Sequence, residues 1–130
     1  MVDSYNGFYK VDTSGYSITT AVFYNPTTKE TFSRIVWDID NPQIERDPET
    51  SILYHMPINE QARRQWLHYR GVIQEGDAIK VIKGRKVPIG TIATVKSIKP
   101  FYDRYGRQQV LYLYFDNGMK TNIHNCILAN

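Results

Sequence analysis

The sequence predicts a mainly β protein of the α+β class, with one helix. An N-terminal antiparallel sheet plus that helix would pack with a small C-terminal β-barrel. Three observations carry this. β-Branched and aromatic residues alternate with polar ones through residues 7–39. A single capped, amphipathic segment follows at 58–71. Four or five short strand-like runs separated by turn residues fill 72–130. The expected organisation is therefore 1–71 and 72–130. With 130 residues the chain supports one core, or two small subdomains sharing one. It is long enough to bury roughly two thirds of its unfolded surface without disulfides.

The elements follow in order. GFYKV leads to a turn at Thr13-Ser14-Gly15, and YSITTAVFY places Tyr16, Ile18, Thr20, Val22 and Tyr24 on one face. Asn25-Pro26 opens a turn, and TFSRIVWDI returns as an antiparallel partner. Residues 40–50, DNPQIERDPET, hold two prolines and five charges and read as a loop. Asn59 is placed to cap a helix in which Ile58, Ala62 and Trp66 recur every four residues, with Leu67 and Tyr69 beside them. Glu60 and Arg70 suit the helix dipole, and Gly71 can end the helix in a left-handed conformation. Arg63, Arg64 and His68 fall off the stripe and are expected to face water.

In the second half the strand-like runs are DAIKVIKG, TIATVKSIK, QQVLYLYF and MKTNIHN. Turns are expected at Gly84 to Gly90, Pro100 to Arg107 and Asp116-Asn117-Gly118. The last turn sets a register. A two-residue loop would pair Phe115 with Lys120 and mix apolar and polar residues on both faces. A three-residue loop with Gly118 at positive φ pairs Phe115 with Met119. Leu111, Leu113, Phe115, Met119, Thr121 and Ile123 then share one face, and Tyr112, Tyr114, Lys120, Asn122 and His124 the other. The second register is the consistent one. Its tyrosine face either packs against the N-terminal half or offers a binding surface.

The net charge of +3 hides an asymmetry. Residues 1–70 carry −2 and residues 71–130 carry +5. Window 38–49 is acidic, with Asp38, Asp40, Glu45, Asp47 and Glu49 against Arg46, and could cover a basic face. Window 76–107 holds eight basic residues against Asp77 and Asp103. No apolar run reaches the roughly 20 residues a spanning helix needs. The start MVDSYNGFYK lacks a signal-peptide pattern, and the single Cys126 has no disulfide partner. A cytoplasmic protein without membrane association is the expectation.

Gly76-Asp77, Ile79, Val81, Gly84, Gly90 and Val95 lie in the string EGDAIKVIKGRKVPIGTIATV. This string resembles a KOW motif, the strand, glycine turn and strand of a small SH3-like barrel in transcription elongation factors of the NusG type and in ribosomal proteins. Residues 83–91, KGRKVPIGT, are similar to short KOW-like proteins of bacteria and their phages. The likeness spans about residues 73–127, with Ala93 where the family commonly has a second glycine. It implies an SH3-like barrel and binding of RNA, DNA or a protein. Residues 1–70 resemble no family we recognise.

Candidate binding residues follow from the chemistry a polyanion requires, cations for phosphates and flat rings for bases. Lys83, Arg85 and Lys86 lie on one loop, and Phe101, Tyr102, Arg104, Tyr105 and Arg107 interleave rings and cations on another. Tyr112 and Lys120 lie on the tyrosine face. Catalysis is not expected. Asp38 and Asp40 are too few for a metal nuclease, and no Glu-x-Lys occurs. The three His and Cys126 lack zinc spacing, and Gly84 to Gly90 does not open a helix. No cofactor or metal is called for. The expectation is a noncatalytic nucleic-acid-binding protein, RNA favoured. The alternatives are a protein–protein adaptor or inhibitor using the same loops, and a protein binding a small anionic ligand.

Overall fold

The computed structural model describes residues 2–129. The chain divides into two compact units, Met1–Trp66 and Leu67–Asn130. Both carry a β-sheet, and the protein is of mixed α+β type. The division falls inside a helix, five residues before the 71/72 boundary expected from sequence.

In the first unit, β1 (Tyr9–Ser14), β2 (Ile18–Tyr24) and β3 (Thr31–Asp38) form an antiparallel sheet in the order β1-β2-β3. Gly15 turns β1 into β2 at φ +100°, where an added Cβ would meet the Ile18 carbonyl oxygen at 1.8 Å. Only glycine fits there. At the next turn the Asn25 side-chain oxygen accepts the N–H groups of Thr27 and Thr28.

The core of this unit joins Ala21, Phe23 and Val36 to Leu53 and Met56. Phe8 and Phe23 each lie 4.9 Å from Phe32, edge-on and stacked respectively. These core positions of β2 are on the face opposite the Tyr16–Tyr24 alternation, and a bulge at Thr19/Thr20 breaks that alternation. What decides the buried face is the helix carrying Leu53, with Met56 just after it, which replaces part of the expected loop.

That correction concerns residues 40–50. Gln43–Arg46 forms α1 and Pro48–His55 forms α2. The prolines that suggested a loop act as starters. Asp47 caps α2 by accepting the N–H groups of Glu49 and Thr50 at 3.0 and 3.1 Å, and Pro48 occupies the first turn, where its missing N–H costs nothing. Thr50 Oγ1 donates to the Ile44 carbonyl and so ties α2 to α1. Arg34 on β3 pairs with Glu49 at 2.5 Å. Lys10, only 4% exposed, donates from Nζ to the Tyr54 carbonyl at 2.7 Å in the last turn of α2. A cation there suits the helix C-terminus. Burial pushes its ammonium pKa down.

The third helix, α3 (Glu60–Tyr69), is the one the sequence predicted. Asn59 Oδ1 accepts the Ala62 N–H at 2.9 Å, Ala62 and Trp66 are buried, and Gly71 follows at φ +79°. Arg63 departs from its expected solvent position. Its guanidinium donates to the Val11 carbonyl at 2.8 Å and to Asp12 at 3.2 Å, which ties α3 to β1.

The second unit is an antiparallel sheet of β4 (Ala78–Val81), β5 (Ile92–Tyr102), β6 (Gln108–Phe115), β7 (Lys120–Asn122) and β8 (Cys126–Leu128), in the order β7-β6-β5-β4-β8. Ile79, Val81, Val95, Leu113 and Phe115 form its core with Val87 and Cys126. A flat sheet would hold β7 and β8, four strand spacings apart, at about 19 Å. A single 3₁₀ turn, Ile123–Asn125, joins them and spans about 8 Å. The sheet must therefore curl, bringing its edges toward each other around the core. Among the described residues the ladders run from β7 to β8 through β6, β5 and β4, and none joins β7 to β8 directly.

The hairpin from β6 to β7 has the three-residue loop. The Phe115 N–H donates to the Met119 carbonyl at 2.9 Å, Gly118 has φ +84°, and Leu113 pairs with Thr121. The hairpin before it differs from expectation. β5 runs on to Tyr102, so the turn is Asp103–Arg107 and not Pro100–Arg107. Pro100 is tolerated inside the strand because β4 pairs only with Ile92–Thr94. Beyond that point β5 has one unpaired side to which a position without N–H can turn.

Candidate functional site

The three-residue loop fixes which side chains leave the core. Leu113, Phe115 and Thr121 point inward and are buried, so Tyr112, Tyr114, Lys120 and Asn122 take the outer face. Cross-strand pairing places Lys99 opposite Tyr112, Tyr112 opposite Asn122, and Tyr114 opposite Lys120. The Phe101 ring stands edge-on to Tyr112 at 5.6 Å, and Lys99 and Lys120 hold their ammonium groups 5.3 and 5.6 Å from the centre of Tyr114.

Where this face meets the Arg85–Lys86 loop a cavity of about 300 Å³ opens and reaches in to Thr121. Pro100, Phe101, Tyr112 and Tyr114 supply its flat apolar walls. Arg85, Lys86 and Lys120 supply cations, and Thr121, Asn122 and Asn125 supply polar groups. No carboxylate lines it. Among the described residues Arg85, Lys86, Lys99 and Lys120 have no ion-pair partner, so their charge is available to an incoming anion.

The loop carrying Arg85 and Lys86 is held at both ends. Val87 is buried in the core, and the Gly90 N–H donates to the Val81 carbonyl at 2.8 Å. Gly84, at φ +108°, lies so near Asn125 that a Cβ would come within 2.8 Å of Nδ2. That amide donates to Thr121 Oγ1 at 3.0 Å, while the Asn125 carbonyl accepts the Ile82 N–H. A glycine at 84 thus lets the basic loop close onto the 3₁₀ turn and complete the cavity wall. Asn122 Oδ1 accepts the His124 N–H at 2.8 Å, leaving its amide N–H₂ without a partner among the described residues.

Of the residues expected to bind, Arg85, Lys86, Phe101, Tyr112 and Lys120 converge on this cavity. Lys83 is exposed on the same loop outside the lining. Tyr102, Arg104, Tyr105 and Arg107 stand on the adjoining hairpin and do not line it. Sequence reasoning missed Lys99, Pro100, Thr121 and Asn125 as site residues. Tyr114 and Asn122 were placed on the correct face without being assigned to the site. The register alone would have added Tyr114, Asn122 and Lys99. The close approach of Gly84 to Asn125 has no sequence signal.

The hairpin tip is ordered by one carboxylate. Asp103 accepts the backbone N–H groups of Tyr105 and Arg107 at 2.9 Å, Arg107 Nε at 3.1 Å and Gln109 Nε2 at 3.0 Å. The Arg107 N–H, with these other donors, holds the carboxyl below its usual pKa. Arg104 and Arg107 sit 5.1 and 5.3 Å from the centre of the Tyr105 ring.

No group of three metal-ligating side chains occurs among the described residues. Asp38 uses a carboxylate oxygen on the Asp40 N–H and closes a turn. Cys126 is buried, and burial pushes its thiol pKa up. No helix among the described residues is long and apolar enough to cross a membrane. Compared with known proteins, the chain matches no family model, no curated protein and no solved structure.

Proposed function

We propose that the protein is a noncatalytic nucleic-acid-binding protein whose C-terminal unit, an SH3-like module of KOW type, takes single-stranded RNA. One observation carries this reading: a cavity with three aromatic walls, ringed by unpaired cations and free of carboxylates. Aromatic faces stack on unpaired bases, and cations gather the phosphates. A cavity of about 300 Å³ suits an unstacked nucleotide and not a duplex. The KOW-like reading is supported by the antiparallel pair β4–β5 around Gly84 and Gly90.

The test is a fluorescence anisotropy titration with single-stranded RNA, single-stranded DNA and duplex DNA at two salt concentrations. Single strands bind more tightly than duplex. The log–log salt slope is roughly −3 if about four phosphates are neutralised. Arg85→Glu with Lys86→Glu abolishes most of the affinity. Binding that ignores salt, or that survives the double reversal, overturns the proposal. A pull-down of a protein that persists after nuclease treatment favours the adaptor reading instead.

A further inference from the structure

Resting on that reading, we propose that the Asp103–Arg107 hairpin tip is a second stacking station for the same strand, so that the ligand is an oligonucleotide engaged at two points. The tip is separate from the cavity yet joins β5 and β6, the two strands whose rings wall it. Phe101, at the cavity, is four residues from Tyr105, a reach of at most about 14 Å.

Three features make the tip a platform. Tyr105 is 68% exposed, more than packing requires of a ring. Its neighbours Arg104 and Arg107 hold their guanidinium groups within 5.3 Å of the ring centre, so an arriving base meets either an aromatic or a guanidinium plane. The four donors gathered on Asp103 fix the turn in advance, so little ordering is left to binding. Arg107 is tied to Asp103, whereas Arg104 has no carboxylate partner among the described residues and remains for a phosphate.

The reach sets a length. At about 3.4 Å per stacked nucleotide, 14 Å is at most four steps. A strand of five nucleotides therefore occupies both stations, while a single nucleotide occupies the cavity alone.

The experiment compares uridine monophosphate with a labelled uridine pentanucleotide, using the full chain and its Tyr105→Ala, Tyr105→Leu and Tyr105→Trp variants. Tyr105 is exposed, so the variants fold, and circular dichroism checks this. Alanine and leucine weaken the pentanucleotide at least about fivefold. Tryptophan retains its affinity, and the monophosphate affinity is the same in all four proteins. Equal pentanucleotide affinity across the variants overturns the second station while leaving the cavity reading intact. A parallel loss of monophosphate affinity shows that Tyr105 belongs to one site and also overturns it. If the unmodified chain binds neither ligand, both this inference and the nucleic-acid reading fall.

Discussion

Three cations of the first unit and four of the second, Arg85, Lys86, Lys99 and Lys120, are used in opposite ways. In the first, basic groups are used internally: Lys10 caps a helix carbonyl, Arg34 pairs with Glu49, and Arg63 bridges α3 to Asp12 and Val11. In the second, cations of similar chemistry stand on an outer sheet face and a glycine-bounded loop with no carboxylate opposite them. A cation that completes a fold is satisfied by the fold. A cluster that remains unsatisfied is held together against its own repulsion and is suited to an external anion. The net charges of the two units, −3 for residues 1–66 and +6 for residues 67–130, are informative chiefly because the arrangement behind them differs in kind.

The largest expected effect separates the two faces of β6. Leu113 is fully buried, and Leu113→Ala is expected to cost about 2–5 kcal/mol of unfolding free energy. Tyr112→Ala, one residue away on the outer face, should cost about 1 kcal/mol or less while weakening RNA binding. Urea denaturation and anisotropy on both variants check this. Equal stability losses would deny that the inner face carries the fold and the outer face the ligand.

Lys10 tests the internal use of charge. Lys10→Met removes the donor to the Tyr54 carbonyl and should cost about 1–2 kcal/mol with RNA affinity unchanged. Its native pKa lies below 10.5, so between the native value and 10.5 the unfolded chain holds the extra proton. Stability attributable to this group therefore rises with pH across that interval. The difference between the parent chain and the methionine variant, followed by denaturation as pH is raised, should show that rise. A flat difference contradicts it.

Surface cations of the second unit should behave in the reverse manner. Lys99→Ala and Lys120→Ala are expected to change stability by no more than about 0.5 kcal/mol. Each should reduce the salt slope of binding by about 0.7. The smallest effect concerns Asp103. Its carboxyl titrates below 3.8 in the folded chain, so its ordering of the hairpin is present above 3.8 and is lost only as pH falls through the lower native value. A carboxyl carbon NMR titration with a midpoint at or above 3.8 would refute the four-donor account of the tip.

How much was legible in the sequence depends on whether the signal was local. The Asn59 cap, the Gly71 stop and the Gly118 loop are short-range chemistry, and α3 and the β6–β7 register follow from them. Residues 40–50 misled because their two prolines, among five charges, suggested a loop. In Asp47-Pro48 the proline stands at the one place in a helix where it is favoured. The face of β2 that meets the core could not be chosen while α2 was unknown, since Leu53 and Met56 are what cover Ala21 and Phe23. Five cavity residues were found because cations and rings announce themselves. Asn125 and Thr121 were not, because their part depends on a long-range approach of Gly84 to the 3₁₀ turn.

On the proposed function, nucleic acid lands on the outer face of β5, β6 and β7 and on the basic loop. A ¹⁵N–¹H correlation NMR titration with the uridine pentanucleotide tests it most directly. Shifts are expected at residues 84–87, 98–107, 112–114 and 120–125, with residues 1–66 unmoved. Shifts centred on the first unit, or none at saturating ligand, would contradict it.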